Sequence, residues 1–294
     1  MSVEIPDNSL KILVCYHKSY TLPPNERIYL PIHAGAALSN QNLNMQRDDE
    51  LNGQICDNIS AKNKNYCELT AIYWAWKNLK ALYPDVKYVG LFHYRRFLEF
   101  DEDKIINALE SGKIILPRQV IHRVPIGVQY CMYHISDDYR TLCRVMKEKF
   151  PDYYDDFMIF MENNNRTSFF NMFIMRYDEF MRYCEWLFSV LSEIESLIPC
   201  ETYNSYQTRV FGFMAERLLN VYVYHNRLSA EYHEMYDYPD KPAKKSILRR
   251  IYDFINHLMV NIAFKVNIAF KLMYPKFHSL RKFIRRFTIK SPKS

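Results

Sequence analysis

The sequence predicts an α/β protein, a central sheet flanked by helices, followed by a basic helical arm. Three observations carry this. Short apolar runs alternate with stretches of helical period through residues 10–222. Only 6 of the 294 residues are glycine, and all six are isolated, so no glycine-rich phosphate loop of the dinucleotide-binding or P-loop kind occurs. The charge also divides. Residues 241–294 hold 14 Lys and Arg against one acid, Asp253, leaving 25 basic and 32 acidic residues in 1–240. Pro239 and Pro242 mark the joint between a 1–240 body and a 241–294 arm.

Composition narrows the class further. With 49% hydrophobic and 24% charged residues the chain is globular, neither disordered nor collagen-like. A mean hydropathy of −0.32 and the lack of a clean 18-residue apolar run argue against a polytopic membrane protein. Met1 to Leu10 has no basic stretch leading into an apolar one, so no secretory signal is expected. The seven cysteines are odd in number and never spaced CxxC, which predicts reduced thiols, a cytoplasmic setting and no structural metal.

Lys11 to Cys15 is an apolar run of strand length, ending in polar Tyr16, His17 and Lys18. Residues 21–60, rich in Pro, Asn and Asp, read as a long irregular connection. Leu69, Ile72, Tyr73, Trp76 and Leu79 recur at helical spacing and predict a helix over 67–82. Residues 87–92 form a second strand, 104–110 a helix and 113–117 a third strand. Helices follow at 137–149 and 178–198, a strand at 169–175 and a helix at 207–222.

Ligands of open α/β sheets bind at the carboxyl ends of strands, which is where His17, His93, Arg95 and Arg96 stand. Two adjacent arginines there suit a phosphate, because guanidinium pairs bidentately with oxyanions; the plain alternative is a pair of surface ion pairs. The segment from Glu68 and Thr70 to Trp74 and Lys77 offers indole stacking for a base or sugar, or simply core. Asn171 is a lone amide in an apolar strand, suited to a sugar hydroxyl or to local backbone. Glu216 lies one turn into an aromatic-rich helix, where burial would raise its pKa toward that of a general base. Asp101 to Asp103 begins nine residues beyond Phe92 and reads as a solvated turn rather than a metal site.

Taken together, Ile59 to Thr70, then Tyr73-Trp74-Ala75-Trp76-Lys77-Asn78, then Gly90-Leu91-Phe92-His93-Tyr94-Arg95-Arg96 resemble the DUF4422 family of bacterial capsule and exopolysaccharide glycosyltransferases. Asn171 to Met175, Tyr183 to Phe188 and Gly212 to Leu218 resemble its later blocks in order, so the resemblance spans roughly residues 10–228. Cys56 departs from it, standing where a glycine is expected before Asp57. The resemblance implies a GT-A-like nucleotide-sugar fold and transfer of a sugar, in some members galactofuranose, from a UDP-linked donor to a growing surface glycan.

Glycosyl transfer needs the leaving diphosphate stabilised and the acceptor hydroxyl deprotonated. GT-A folds commonly use a strand-end Asp-x-Asp and a divalent cation such as Mn²⁺ or Mg²⁺. Here His93-Tyr94-Arg95-Arg96 takes that place, so no cofactor is expected: Arg95 or Arg96 meets the diphosphate, with His93 beside it. His17, Lys18 and Tyr94 line the nucleotide pocket, Glu68 holds ribose or base with Thr70, Trp74 and Lys77 near it, and Asn171 holds a sugar hydroxyl. Glu216 is the expected base, with Asp137 or Asp138, near His134, as fallback. A non-catalytic scaffold of the polysaccharide machinery is the alternative. A nucleic-acid binder is disfavoured by the acidic body.

In the arm, Ile251, Phe254, Ile255, Leu258, Ile262, Val266, Ala269 and Met273 fall on one helical face. After Pro275, Phe277, Leu280, Phe283, Ile284 and Phe287 interleave with Lys and Arg. Basic amphipathic helices of this kind bind anionic membrane surfaces, so residues 245–290 are expected to hold the protein at the inner face of the cell membrane, near a lipid-linked acceptor. The plain alternative is packing of the first helix on the body.

Overall fold

Strand β1 (Leu10–Tyr16) is buried along its whole length, as its apolar run requires. Leu10, Ile12, Val14 and Tyr16 belong to one core layer, and Leu13 and Cys15 to the other. Lys11 escapes the sheet by donating from Nζ to the Arg27 carbonyl at 2.7 Å. This computed structural model describes residues 8–99, 101–240, 251–266 and 268–269.

The chain continues through β2 (Tyr29–His33), β3 (Gln46–Arg47), a small hairpin of β4 (Glu50–Leu51) and β5 (Gln54–Ile55), and helices α1 (Asn63–Tyr66) and α2 (Leu69–Leu82). Then come β6 (Tyr88–His93), β7 (Arg96–Leu98), α3 (Glu102–Glu110), β8 (Ile114–Pro117) and β9 (Val120–Ile121). Helices α4 (Ile126–Tyr133), α5 (Ser136–Lys149) and α6 (Pro151–Asn163) precede β10 (Arg166–Thr167) and β11 (Phe173–Arg176). Helices α7 (Tyr177–Glu195) and α8 (Val210–His225) and strands β12 (Ala230–His233) and β13 (Met235–Asp237) complete the body.

The main sheet runs β12-β8-β11-β6-β1-β2-β3, with β7 and β13 branching from β6. Strands β6, β1, β2 and β3 are mutually parallel, while β11 is antiparallel to both β6 and β8. The sheet is therefore mixed. One face carries α2 and the α4–α8 helices over the larger core, and the other carries α3 over the smaller. Gly90 allows the tight β6 centre: a Cβ there would lie 2.9 Å from the Phe173 carbonyl oxygen.

The expected irregular connection at 21–60 contains β2 to β5. Buried Asp48 organises it, accepting from the Gly35 and Ala36 amides at 2.7 and 3.0 Å and from the Ser60 hydroxyl. Cys56 adopts no positive φ, so the position does not need the glycine. The strand expected at 169–175 is confined to 173–176, because Phe170 and Asn171 turn the chain at φ 71° and 52°. Asp101 caps α3, its carboxylate accepting from the Lys104 amide, in keeping with a turn.

Residues 251–266 are helical. Ile251, Phe254, Ile255, Leu258, Ile262 and Val266 are exposed, and the helix meets the body through buried Val260 and its neighbours Asn256 and His257. The expected second helix after Pro275, Met273, and the basic residues of 241–250 lie outside the described residues. No helix among the described residues is long and apolar enough to cross a membrane.

Candidate active site

A cavity of about 1020 Å³ opens at the C-terminal ends of parallel β1 and β6. The β6–β7 turn forms one wall. It is pinned on both sides: the Tyr94 amide donates to the Cys15 carbonyl at 3.0 Å, and the Tyr238 amide donates to the Arg95 carbonyl at 2.9 Å. Arg95 and Arg96 leave this turn into the cavity, with the Arg96 guanidinium 4.5 Å from the centre of the Phe170 ring.

The opposite wall is α8. Arg209, just before its first residue, Phe213 and Glu216 recur at i, i+4 and i+7, which places them on one helical face lining the cavity. Arg209 donates from Nε to the Cys67 sulfur at 3.3 Å. Among the described residues no carboxylate forms an ion pair with Arg95, Arg96 or Arg209. Three cationic side chains facing one cavity, none in an ion pair among the described residues, give it the chemistry to receive an anion, although Glu68 and Glu216 line it too. His17, at the end of β1, feels the same charge. Burial first, then Lys18, Arg209 and Arg95, lowers its pKa and keeps the ring neutral.

Glu216 sits deep in this wall. Its Oε1 accepts from the Phe170 amide at 3.0 Å and its Oε2 from Arg217 Nη1 at 2.7 Å. Burial pushes its pKa up to about 7, with Glu68 adding to the rise and Arg217, the Phe170 amide and Arg209 opposing it. Arg217 is itself buried and held by the Phe213 carbonyl and Gln129. A carboxyl that titrates near neutrality, with unused acceptor positions on both oxygens, is suited to take a proton from a hydroxyl.

Of the residues expected from sequence, His17, Glu68, His93, Tyr94, Arg95, Arg96 and Glu216 line this cavity. His93 is committed to scaffolding: its Nε2 lies 2.7 Å from the Phe170 carbonyl, which can only accept, so that nitrogen carries the proton. Asn171 is a correction. It is fully buried behind the wall and donates to Glu68 Oε1 at 2.7 Å and to the Gly212 carbonyl, so it aims Glu68 rather than binding a sugar.

Thr70, Trp74 and Lys77 are corrections as well. Thr70 is buried, its hydroxyl closing on the Cys67 carbonyl. Trp74 is buried core, its indole N–H donating to the Glu50 carbonyl at 2.8 Å. Lys77 is exposed over the Trp76 ring, away from the cavity. Lys18 is exposed beside Tyr94 and does not line the cavity. The fallback acids are displaced too: Asp137 pairs with Arg140, and Asp138 is buried against the Tyr203 hydroxyl.

The sequence reading missed Arg209, Cys67, Tyr206 and Phe213. The i, i+4, i+7 stripe ending at Glu216 was the available signal for two of them.

Fold and cavity together define a GT-A-like α/β protein with an arginine-lined cleft at its parallel strand ends. Residues 11–227 match the family described as a domain of unknown function, DUF4422, and the chain belongs to it. Among solved structures, it is similar to "WbbM bifunctional glycosytransferase apo structure", at 29% identity and a TM-score of 0.67. The match covers 82% of this chain and 48% of that one, so this chain spans about half the length of that protein. No protein of curated function matches the sequence.

Proposed function

We propose that this protein is a glycosyltransferase that moves a hexosyl group from a UDP-linked donor to a glycan acceptor. The carrying observation is the convergence of Arg95 and Arg96 from the β6–β7 turn and Arg209 from the α8 wall on one cavity, none of them ion-paired to a carboxylate among the described residues, with Glu216 on the same α8 face as Arg209. The likeness to WbbM supports it.

In the proposed reaction the acceptor hydroxyl gives its proton to the Glu216 carboxylate as its oxygen forms a bond to the anomeric carbon. The bond from that carbon to the diphosphate breaks, and its electron pair leaves on the phosphate oxygen. The three guanidinium groups stabilise that charge, so the reading needs no divalent cation. Supporting this, His93-Tyr94-Arg95-Arg96 occupies the β6 end, where GT-A folds commonly place Asp-x-Asp. The finer assignments belong to the same reading: UDP-galactofuranose as first donor to test, and a lipid-linked acceptor in capsule, O-antigen or exopolysaccharide synthesis. Residues 245–290 hold the protein peripherally at the cytoplasmic membrane face, a role that the exposed stripe of 251–266 supports.

Calorimetric titration with UDP, and turnover with UDP-sugars, test the proposal. Arg95→Ala and Arg96→Ala should each leave the melting curve near wild type, and Arg209→Ala should lower it modestly by freeing the Cys67 sulfur. Each should cost ~3 kcal/mol of barrier, about a hundredfold in turnover. Normal UDP affinity and turnover in all three variants would refute the anion site. Loss of turnover in EDTA, restored only by Mn²⁺ or Mg²⁺, would refute the metal-free reading.

A further inference from the structure

We infer that the α4–α8 wall of the cavity is a carbohydrate subsite that seats the acceptor sugar on Tyr206, His134 and Phe213. The inference rests on Glu216 being the base. Three rings cluster there. The His134 ring is stacked on Phe213 with centroids 4.1 Å apart and faces Tyr206 at 5.8 Å, and Tyr206 lies 5.1 Å from Phe213. The cluster is not simply core. Tyr206 is 51% exposed, and Tyr133 beside it is 59% exposed, yet both line the cavity. Exposed aromatic rings at a cavity mouth offer apolar faces for the C–H patch of a sugar.

The rings carry no charge of their own, and the Arg209 guanidinium, 5.6 Å from the centre of the Phe213 ring, marks the edge of the platform that adjoins the diphosphate. His134 is held neutral by burial and by Arg217, its pKa lowered to about 4, so the cluster adds no cation for phosphate. Its Nδ1 is buried and has no hydrogen-bond partner among the described residues. The nucleotide end of an open α/β cleft is the β1 end, where Tyr16, His17 and Tyr94 stand. The ring cluster belongs to the opposite wall. Phe213 precedes Glu216 by three residues on α8, so the two project from the same face about one turn apart. A sugar stacked on the rings therefore presents its hydroxyl edge to the carboxylate.

Ligand-observed saturation-transfer NMR on the full-length protein tests this, with methyl β-galactopyranoside as the carbohydrate probe and UDP as the nucleotide probe. Both probes should receive saturation from the wild type. Tyr206→Ala should weaken galactoside binding about fivefold and leave UDP unchanged, while Tyr206→Phe should retain both. Tyr206 is on the surface, and a thermal melt confirms that each variant is folded. A Tyr206→Ala variant that loses UDP but keeps the galactoside would overturn the inference and make the rings a base platform. Unchanged binding of both probes, or no galactoside binding by the wild type, would overturn it too. Failure of UDP to bind the wild type would instead strike the glycosyltransferase reading, while the galactoside signal still reports on the wall.

Discussion

Replacing Glu216 with Gln tests the proposed base without any knowledge of the substrates. Burial raises the pKa of this group from the 4.5 of a free glutamate to about 7 in the folded chain. Between those values the folded state holds a proton that the unfolded state has released. Stability contributed by this group therefore falls as pH rises from about 4.5 through 7. Each unit of pKa difference is worth about 1.4 kcal/mol, so the loss is about 3 kcal/mol. His134 works in the opposite sense, its folded pKa near 4 adding stability as pH rises toward 6.5. A wild-type curve alone would blend the two. The difference between wild type and Glu216→Gln isolates Glu216, because His134 is common to both. Urea melts at pH 5 and pH 8 give that difference. The wild type should lose about 3 kcal/mol relative to the variant over this range. A difference that is flat, or that grows in favour of the wild type, would show that Arg217 overrides burial and that Glu216 is ionised well below neutrality. With turnover in hand, kcat/KM of the wild type should rise with pH on a limb near 7.

Three further outcomes follow from the packing. Trp74→Phe should lower stability by about 1–2 kcal/mol and leave UDP affinity unchanged by calorimetry; a selective loss of UDP binding would restore Trp74 to the site. Gly35→Ala should destabilise by about 2 kcal/mol or more in urea melts, since Gly35 has φ 74° and a Cβ would lie 2.6 Å from Asn63; a wild-type melt would refute this. A chain ending at Pro239 should still bind UDP but no longer sediment with anionic liposomes. Liposome binding equal to that of the full chain would refute the membrane role of the arm, and aggregation would mark the 251–266 helix as packing on the body.

Much of the fold was legible because the information was local. Strands β1, β6 and β8 are buried on both faces, so each is written as an apolar run. Helices α2, α5, α7 and α8 carry apolar positions at helical spacing. The 21–60 region was not legible for the converse reason. Strand β3 has two residues, β2 contains Pro31, and the order there comes from Asp48 reaching Gly35, Ala36 and Ser60 across 12 or 13 positions. Such a network has no local signature. On α2, sequence marked Glu68, Thr70, Trp74 and Lys77 alike, but only the register of the folded helix decides which face each takes. Glu68 reaches the cavity, Thr70 and Trp74 pack inward, and Lys77 faces solvent.

Backbone strain was the least legible feature, and it bears directly on the site. Among the described residues, non-glycine positive φ occurs at Asn8, Asn44, Asn52, Cys67, Phe170, Asn171 and Arg227. Asparagine tolerates this region; cysteine and phenylalanine do not. Cys67 and Phe170 both line the cavity. Each such residue costs on the order of 1–3 kcal/mol and persists only where its surroundings over-determine it. Those surroundings are the site itself. Glu216 takes the Phe170 amide, His93 takes its carbonyl, and Asn171, in the same turn, holds Glu68. On the other side, the Cys67 carbonyl is held by Asn63 and Thr70, and its sulfur by Arg209. The groups proposed to bind and deprotonate substrates are thus the same groups that hold the strained turns in place. Asn171 and Thr70 belong to the site by supporting it, although neither touches the cavity.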